Sequence, residues 1–162
     1  MDQNEREIFQ KAILNENEGY QFYQVAAEQT KDPDVKLIFL ALAEDEKKHE
    51  SWLRNLYQGL LDQKSSEEIV LTVSDIDSPG IFTPDKMEKF GALEVSALHI
   101  GILMEKESMD YYRTAAKNTQ VSAAKDLFEK LAHWEQGHLD RLEAAYEVAR
   151  EEWWAEQGFS PA

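Results

Sequence analysis

Glu46-Lys47-Lys48-His49 is an E-x-x-H set inside a helical pattern, and it recurs as Glu135-Gln136-Gly137-His138, 89 residues later (135 − 46 = 89). Glu16 and Glu105 repeat at the same offset (105 − 16 = 89), and so do Tyr23 and Tyr112 (112 − 23 = 89). Residues three apart on a helix are neighbours, so the Glu and His of each motif point the same way. The offset reaches beyond these residues. Ala12-Ile13-x-x-Glu16 matches Gly101-Ile102-x-x-Glu105, and Phe22-Tyr23-x-x-Ala26-Ala27 matches Tyr111-Tyr112-x-x-Ala115-Ala116. Phe39-x-x-Leu42-Ala43 matches Phe128-x-x-Leu131-Ala132. One offset without gaps accounts for every pair, so the chain reads as a duplicated helical hairpin.

Working outward from the motifs, apolar residues recur at helical spacing in four stretches. The first hairpin covers residues 4–61. Its first helix, to Gln29, carries Phe9, Ala12, Tyr23 and Ala27 on one face, with Glu16 in the middle of that stripe. Asp32 then Pro33 read as an N-cap and first helical position. The second helix carries Phe39, Leu42, Glu46, His49, Trp52 and Leu53 on its face. The second hairpin covers 93–150, with helices from about Glu94 to Asn118 and from Ser122 toward Arg150.

Residues 62–92 break the pattern. Ile69–Val73 reads as a short extended piece, Ser78-Pro79-Gly80 as a turn, and Thr83-Pro84-Asp85 as a cap. A connection this long is uncommon without a purpose. Two parallel inner helices supply one, because a helix of about 28 residues is roughly 40 Å long and the chain must travel back along it. Residues 151–162 read as an acidic tail carrying Trp153 and Trp154, docked on the bundle or on a second subunit. The expected fold class is therefore all-α: a four-helix bundle in one domain, with a long crossover and a C-terminal extension.

Glu16, Glu46, His49, Glu105, Glu135 and His138 all fall on apolar faces. An ionised carboxylate in a dry core costs several kcal/mol unless it is paired or metal-bound. No Lys or Arg lies on these stripes near the four Glu, apart from Arg141, nearly two turns beyond Glu135. Metal is the simplest compensation, and four carboxylates neutralise two divalent ions. Carboxylate and imidazole without thiolate suit iron or manganese, with zinc possible. Four-helix bundles build two-metal sites from a single Glu on each of two helices and a Glu-x-x-His on each of the others. In that arrangement Glu46 and Glu135 bridge both ions, while each His and each single Glu binds one.

Tyr23 and Tyr112 lie seven residues after the single Glu, and helical side chains lean toward the N-terminus. They are read as hydrogen-bonding a ligand Glu, the alternative being core tyrosines satisfied elsewhere. His99 and His133 lie off the ligand faces and read as surface residues. Trp134 reads as interface or ordinary packing.

Composition narrows the function classes. A net charge of −15 disfavours nucleic acid and anionic membrane surfaces. The absence of cysteine excludes disulfides, thiolate metal sites and a catalytic Cys. No stretch approaches a membrane span and the N-terminus is charged, so a cytoplasmic protein is expected.

The motifs [AG]-I-x-x-E-x-x-x-x-x-[FY]-Y and L-A-x-x-E-x-x-H, each present twice, resemble the ferritin-like superfamily, and within it the rubrerythrin-type diiron proteins, over residues 8–56 and 97–145. The resemblance implies a left-handed crossover bundle, a non-haem centre of two iron ions, and reduction of hydrogen peroxide or dioxygen. An external, rubredoxin-like electron donor is expected because the sequence has no cysteine, and a homodimer or higher homo-oligomer is expected as well. Two features depart from the pattern. Rubrerythrins usually carry a rubredoxin domain whose iron is held by four cysteines, and this sequence has none. They also place a further Glu one turn after the third-helix ligand, where this chain has Ser108, with Gly19 as its repeat mate. The six-residue set is closer to a bacterioferritin ferroxidase pattern. An iron-binding mini-ferritin and a dimanganese catalase-like protein are the alternative readings.

Overall fold

The computed structural model describes residues 1–62 and 94–158. Four helices make up these residues: α1 (Gln3–Gln29), α2 (Pro33–Asp62), α3 (Glu94–Asn118) and α4 (Ser122–Glu156). The expected extended piece, turn and cap between 62 and 92 lie outside the described residues, apart from Asp62 itself, which ends α2.

Local chemistry sets the helix ends. Asp2 accepts the Glu5 amide at 2.8 Å and caps α1. Asp32 accepts the amides of Asp34 and Val35 at 2.8 and 3.0 Å, the N-cap expected before Pro33. The fourth helix outruns its expected end at Arg150. Nothing between Arg150 and Glu156 is a helix breaker, so Trp153 and Trp154 stay in helix rather than in a separate tail. The stop comes at Gly158, whose φ of 79° is the left-handed conformation that glycine adopts freely.

The order of buried residues along each helix shows how the bundle is assembled. One apolar cluster joins Phe22, Phe39, Leu98 and Leu142, and a second joins Phe9, Leu53, Tyr112 and Phe128. Helices α1 and α4 enter at the second cluster and leave at the first, whereas α2 and α3 run the other way. The inner helices are therefore parallel. The ends agree: Glu94 accepts the Lys31 amide beside the α1–α2 turn, while Glu5 accepts from Thr119 and Gln120 at the α3–α4 turn. Asp62 and Glu94 thus stand at opposite ends of the bundle, the arrangement that a long connection serves.

On α1, α2 and α4 the polar residues Glu16, Glu46/His49 and Glu135/His138 fall between the members of the two clusters, and on α3 Glu105 lies between Leu98 of the first and Tyr112 of the second. They form a middle layer sealed above and below by hydrocarbon. Each fully buried large side chain of the seals, such as Phe9, Phe22, Phe39 or Phe128, contributes about 1.5–3 kcal/mol. That apolar burial is what carries the cost of an ionisable layer in the centre.

Candidate metal centre

All six residues singled out by the repeat meet in this layer, and none is more than 3% exposed. Single oxygens or nitrogens from Glu16, Glu46, His49 and Glu135 lie within 4.8 Å of one another, and so do those from Glu46, Glu105, Glu135 and His138. The two groups share Glu46 and Glu135. A shared pair of carboxylates is what two adjacent cations with two bridging ligands require.

The inner faces are closely set. His49 Nδ1 is 3.1 Å from Glu16 Oε2, 3.3 Å from Glu135 Oε1 and 3.6 Å from Glu46 Oε2. His138 Nδ1 is 2.8 Å from Glu135 Oε2, 3.3 Å from Glu46 Oε1 and 3.4 Å from Glu105 Oε1. The imidazoles stack, with centroids 5.3 Å apart and 14° between planes.

The tyrosines cross over. Tyr23 of the first hairpin donates to Glu105 of the second, and Tyr112 of the second donates to Glu16 of the first. Sequence spacing placed both phenols at the layer; only packing shows that each holds the opposite repeat's carboxylate.

Several buried atoms have no hydrogen-bonding partner: Glu105 Oε2, both carboxylate oxygens of Glu135, and His138 Nδ1. Buried polar atoms are rarely left so, because each costs about 1–3 kcal/mol. His138 Nδ1 and Glu135 Oε2 are close, yet they do not make a hydrogen bond with each other. Both residues belong to the second of the two groups, whose ligand atoms lie within 4.8 Å of one another. Two divalent cations fit this donor set, in ligand type, in charge and in the atoms left over.

The electrostatics agree. Burial, and after it the charges of Glu135, Glu16 and Glu105, push the Glu46 carboxyl well up. Burial and Glu135 raise Glu105 to about 7, against the lowering influence of His138 and Tyr23. Glu135 goes the other way: burial would raise it, but contact with both histidines holds it well below the usual carboxylate range. Burial alone would lower His49, yet its carboxylate neighbours push it up to about 12. His138 is likewise raised, the charges of Glu105 and Glu135 and its contact with Asp45 outweighing its burial. Without cations, the layer holds protons in their place. Burial, then neighbouring carboxylates, raise both tyrosines, so the phenols stay protonated and donate.

The surroundings contain residues that the motif reading missed. Asp45 Oδ2 lies 3.6 Å from the outer nitrogen of His138 and 3.2 Å from Arg141 Nη2, while Oδ1 meets Lys48 at 3.2 Å. Arg141 therefore serves Asp45 rather than the four Glu. Trp52, expected on the buried face, is 39% exposed. It sits at the edge of that face, where its indole packs on Trp134 (4.5 Å between centroids) and on His49 (5.5 Å). Trp134 itself stacks on His49 at 5.3 Å and 16°. Asn15 donates to Ser108 at 3.2 Å across α1 and α3. His99 and His133 are exposed, as read. A cavity of about 280 Å³ flanks the two histidines, lined among others by Asp45, Trp52, Trp134, Asp140 and Arg141. A larger groove beside Arg113, Lys117 and Lys125 contains none of the six residues.

Four helices in two repeated hairpins, parallel inner helices and a central carboxylate–histidine layer define a ferritin-like bundle. Within that class the rubrerythrin family profile matches residues 7–146, and the chain belongs to the rubrerythrin family. A solved structure of a hypothetical protein from Pyrococcus furiosus is similar, with a TM-score of 0.68 and 25% identity over 90% of this chain and 89% of that one. No curated protein matches the chain. Among the described residues, no helix is long and apolar enough to cross a membrane.

Proposed function

We propose that Glu16, Glu46, His49, Glu105, Glu135 and His138 hold two iron ions, and that the chain is an oxidoreductase that reduces hydrogen peroxide or dioxygen with electrons from an external donor. The observation that carries this reading is the pair of overlapping donor groups sharing Glu46 and Glu135. Two ferrous ions would supply the two electrons that reduction of peroxide to water consumes. The protein's part is to position and to exclude. Tyr23 and Tyr112 fix the outer carboxylates through the opposite hairpin. The apolar seals keep bulk water from the layer. The cavity beside the histidines is large enough for a few small molecules, a liquid water taking about 30 Å³.

No cysteine is present to hold a second, rubredoxin-type iron. Ferrous protein should therefore consume about one peroxide per pair of metals and stop, with sustained turnover only when a rubredoxin-like donor is added. Stopped-flow peroxide consumption after anaerobic iron loading tests this. Many turnovers without a donor would replace the reading with catalase-like disproportionation, for which manganese suits the same ligands.

One observation favours a second reading. Ser108, hydrogen-bonded to Asn15, leaves the centre with six donors rather than seven, which is closer to a ferroxidase. Iron storage needs a hollow shell of many subunits, and light scattering separates the two.

A further inference from the structure

The repeat that matches the six donors fails beside the histidines, and it fails in a paired way. Asp45 corresponds to Trp134 (134 − 45 = 89), and Trp52 corresponds to Arg141 (141 − 52 = 89). Asp45 and Arg141 contact each other across α2 and α4 at 3.2 Å. Trp52 and Trp134 contact each other across the same two helices at 4.5 Å. The same two corners of a pseudo-symmetric site thus hold an ion pair at one histidine and an indole pair at the other.

The consequences for the imidazoles differ. Each turns Nδ1 to the carboxylate layer, so a metal-bound ring must carry its proton on Nε2. For His138 that proton faces the Asp45 carboxylate, itself held by Arg141 and Lys48. A carboxylate behind a ligating imidazole fixes its orientation and raises its basicity toward the metal. For His49, the ring is covered by Trp134 and Trp52, and among the described residues no carboxylate pairs with its outer nitrogen. Indole faces restrict the ring but accept no comparable hydrogen bond.

We infer that the two metal positions are unequal, that the position served by His138 fills first, and that Asp45 is the positioning residue that makes it the tighter one. This rests on the two-metal reading above, and the test separates the two claims. Metal-depleted protein is titrated anaerobically with Co(II), followed by calorimetry and by the visible absorption of bound cobalt. Two resolved steps are expected. His138→Ala should remove the tighter step and His49→Ala the weaker. Asp45→Asn should weaken the tighter step by about 10- to 100-fold, the range for losing such a partner, and leave the weaker step in place. Asp45→Glu should restore much of the difference. Equal affinities in the wild type would overturn the inference while leaving the two-metal reading intact, and so would an Asp45→Asn variant that moves both steps alike or neither. No bound cobalt at all would overturn both. Trp134→Asp gives the reciprocal test: a carboxylate beside His49 should tighten the weaker step, and a folded variant with unchanged affinity counts against the inference.

Discussion

The carboxylate–histidine layer and the rim around it obey different rules in this molecule. In the layer, α1–α2 and α3–α4 are near copies: Glu16 against Glu105, Glu46/His49 against Glu135/His138, Tyr23 against Tyr112. At the rim the copies part, with Asp45 and Arg141 at one histidine and Trp134 and Trp52 at the other. The difference shows where symmetry is demanded. Two like cations, as proposed, would need like donors at like distances, and the two halves of the layer supply them. The rim only orients and covers those donors, and different side chains can do so in different ways.

The strongest test of the symmetric layer is the pair that both donor groups share, Glu46 and Glu135. Glu46→Ala and Glu135→Ala should each take metal content from about two ions to below one, and to a similar degree, measured by elemental analysis after anaerobic loading. A clear inequality would show that the repeat in sequence is not a repeat in role.

The next effect is pH dependence, with opposite signs for the empty and loaded protein. Glu105 has a folded value near 7 against an ordinary 4.5, so its stabilising contribution is complete below 4.5 and is lost as pH rises through 7. Glu46 is shifted in the same direction, and His49, at about 12 against 6.5, has its full contribution below 6.5 and loses it progressively as pH rises from there toward 12. Glu135 and Asp45, shifted down, lose theirs only in strong acid. The melting temperature of metal-depleted protein should fall between about pH 5 and pH 8. Metal must displace the same protons, so its apparent affinity should rise over that interval, with proton release visible in weak buffer. A metal affinity independent of pH would break this account.

Smaller effects are expected at the crossed tyrosines. Tyr23→Phe and Tyr112→Phe each remove a hydrogen bond to a carboxylate, worth about 1.5–3 kcal/mol in the metal-depleted protein. Both metals should remain bound. The two losses should match by denaturant titration, and loss of metal in either variant would move that tyrosine into the donor set. Smallest of all is His133→Ala. This exposed histidine lies outside the layer, so metal content should not change and stability should move by no more than about 0.5 kcal/mol. A lost metal ion there would mean that the rim donates directly.

Most of the bundle was legible because its information is periodic. Helical spacing marked four apolar faces, and the 89-residue offset marked six polar residues that violate them. The rim was less legible. Trp52 sits at helical spacing with Leu53 and Leu56, and period alone cannot tell the edge of a face from its centre. Asp45 is unremarkable among the many acids of α2 until His138, on another helix, is brought beside it. The break in the repeat at Asp45/Trp134 and Trp52/Arg141 was the available signal, but a mismatch acquires meaning only once the corners are known to meet.

By itself, then, the sequence determined the duplicated hairpin, the four helices and the six polar residues on their apolar faces, because helix period and repeat offset are properties of one dimension. Only the tertiary structure decided that Tyr23 serves Glu105 and Tyr112 serves Glu16, that Arg141 pairs with Asp45, and that the two histidines have different neighbours. Those are contacts between helices, set by which faces pack across the bundle, and the order of residues along a chain does not encode them locally.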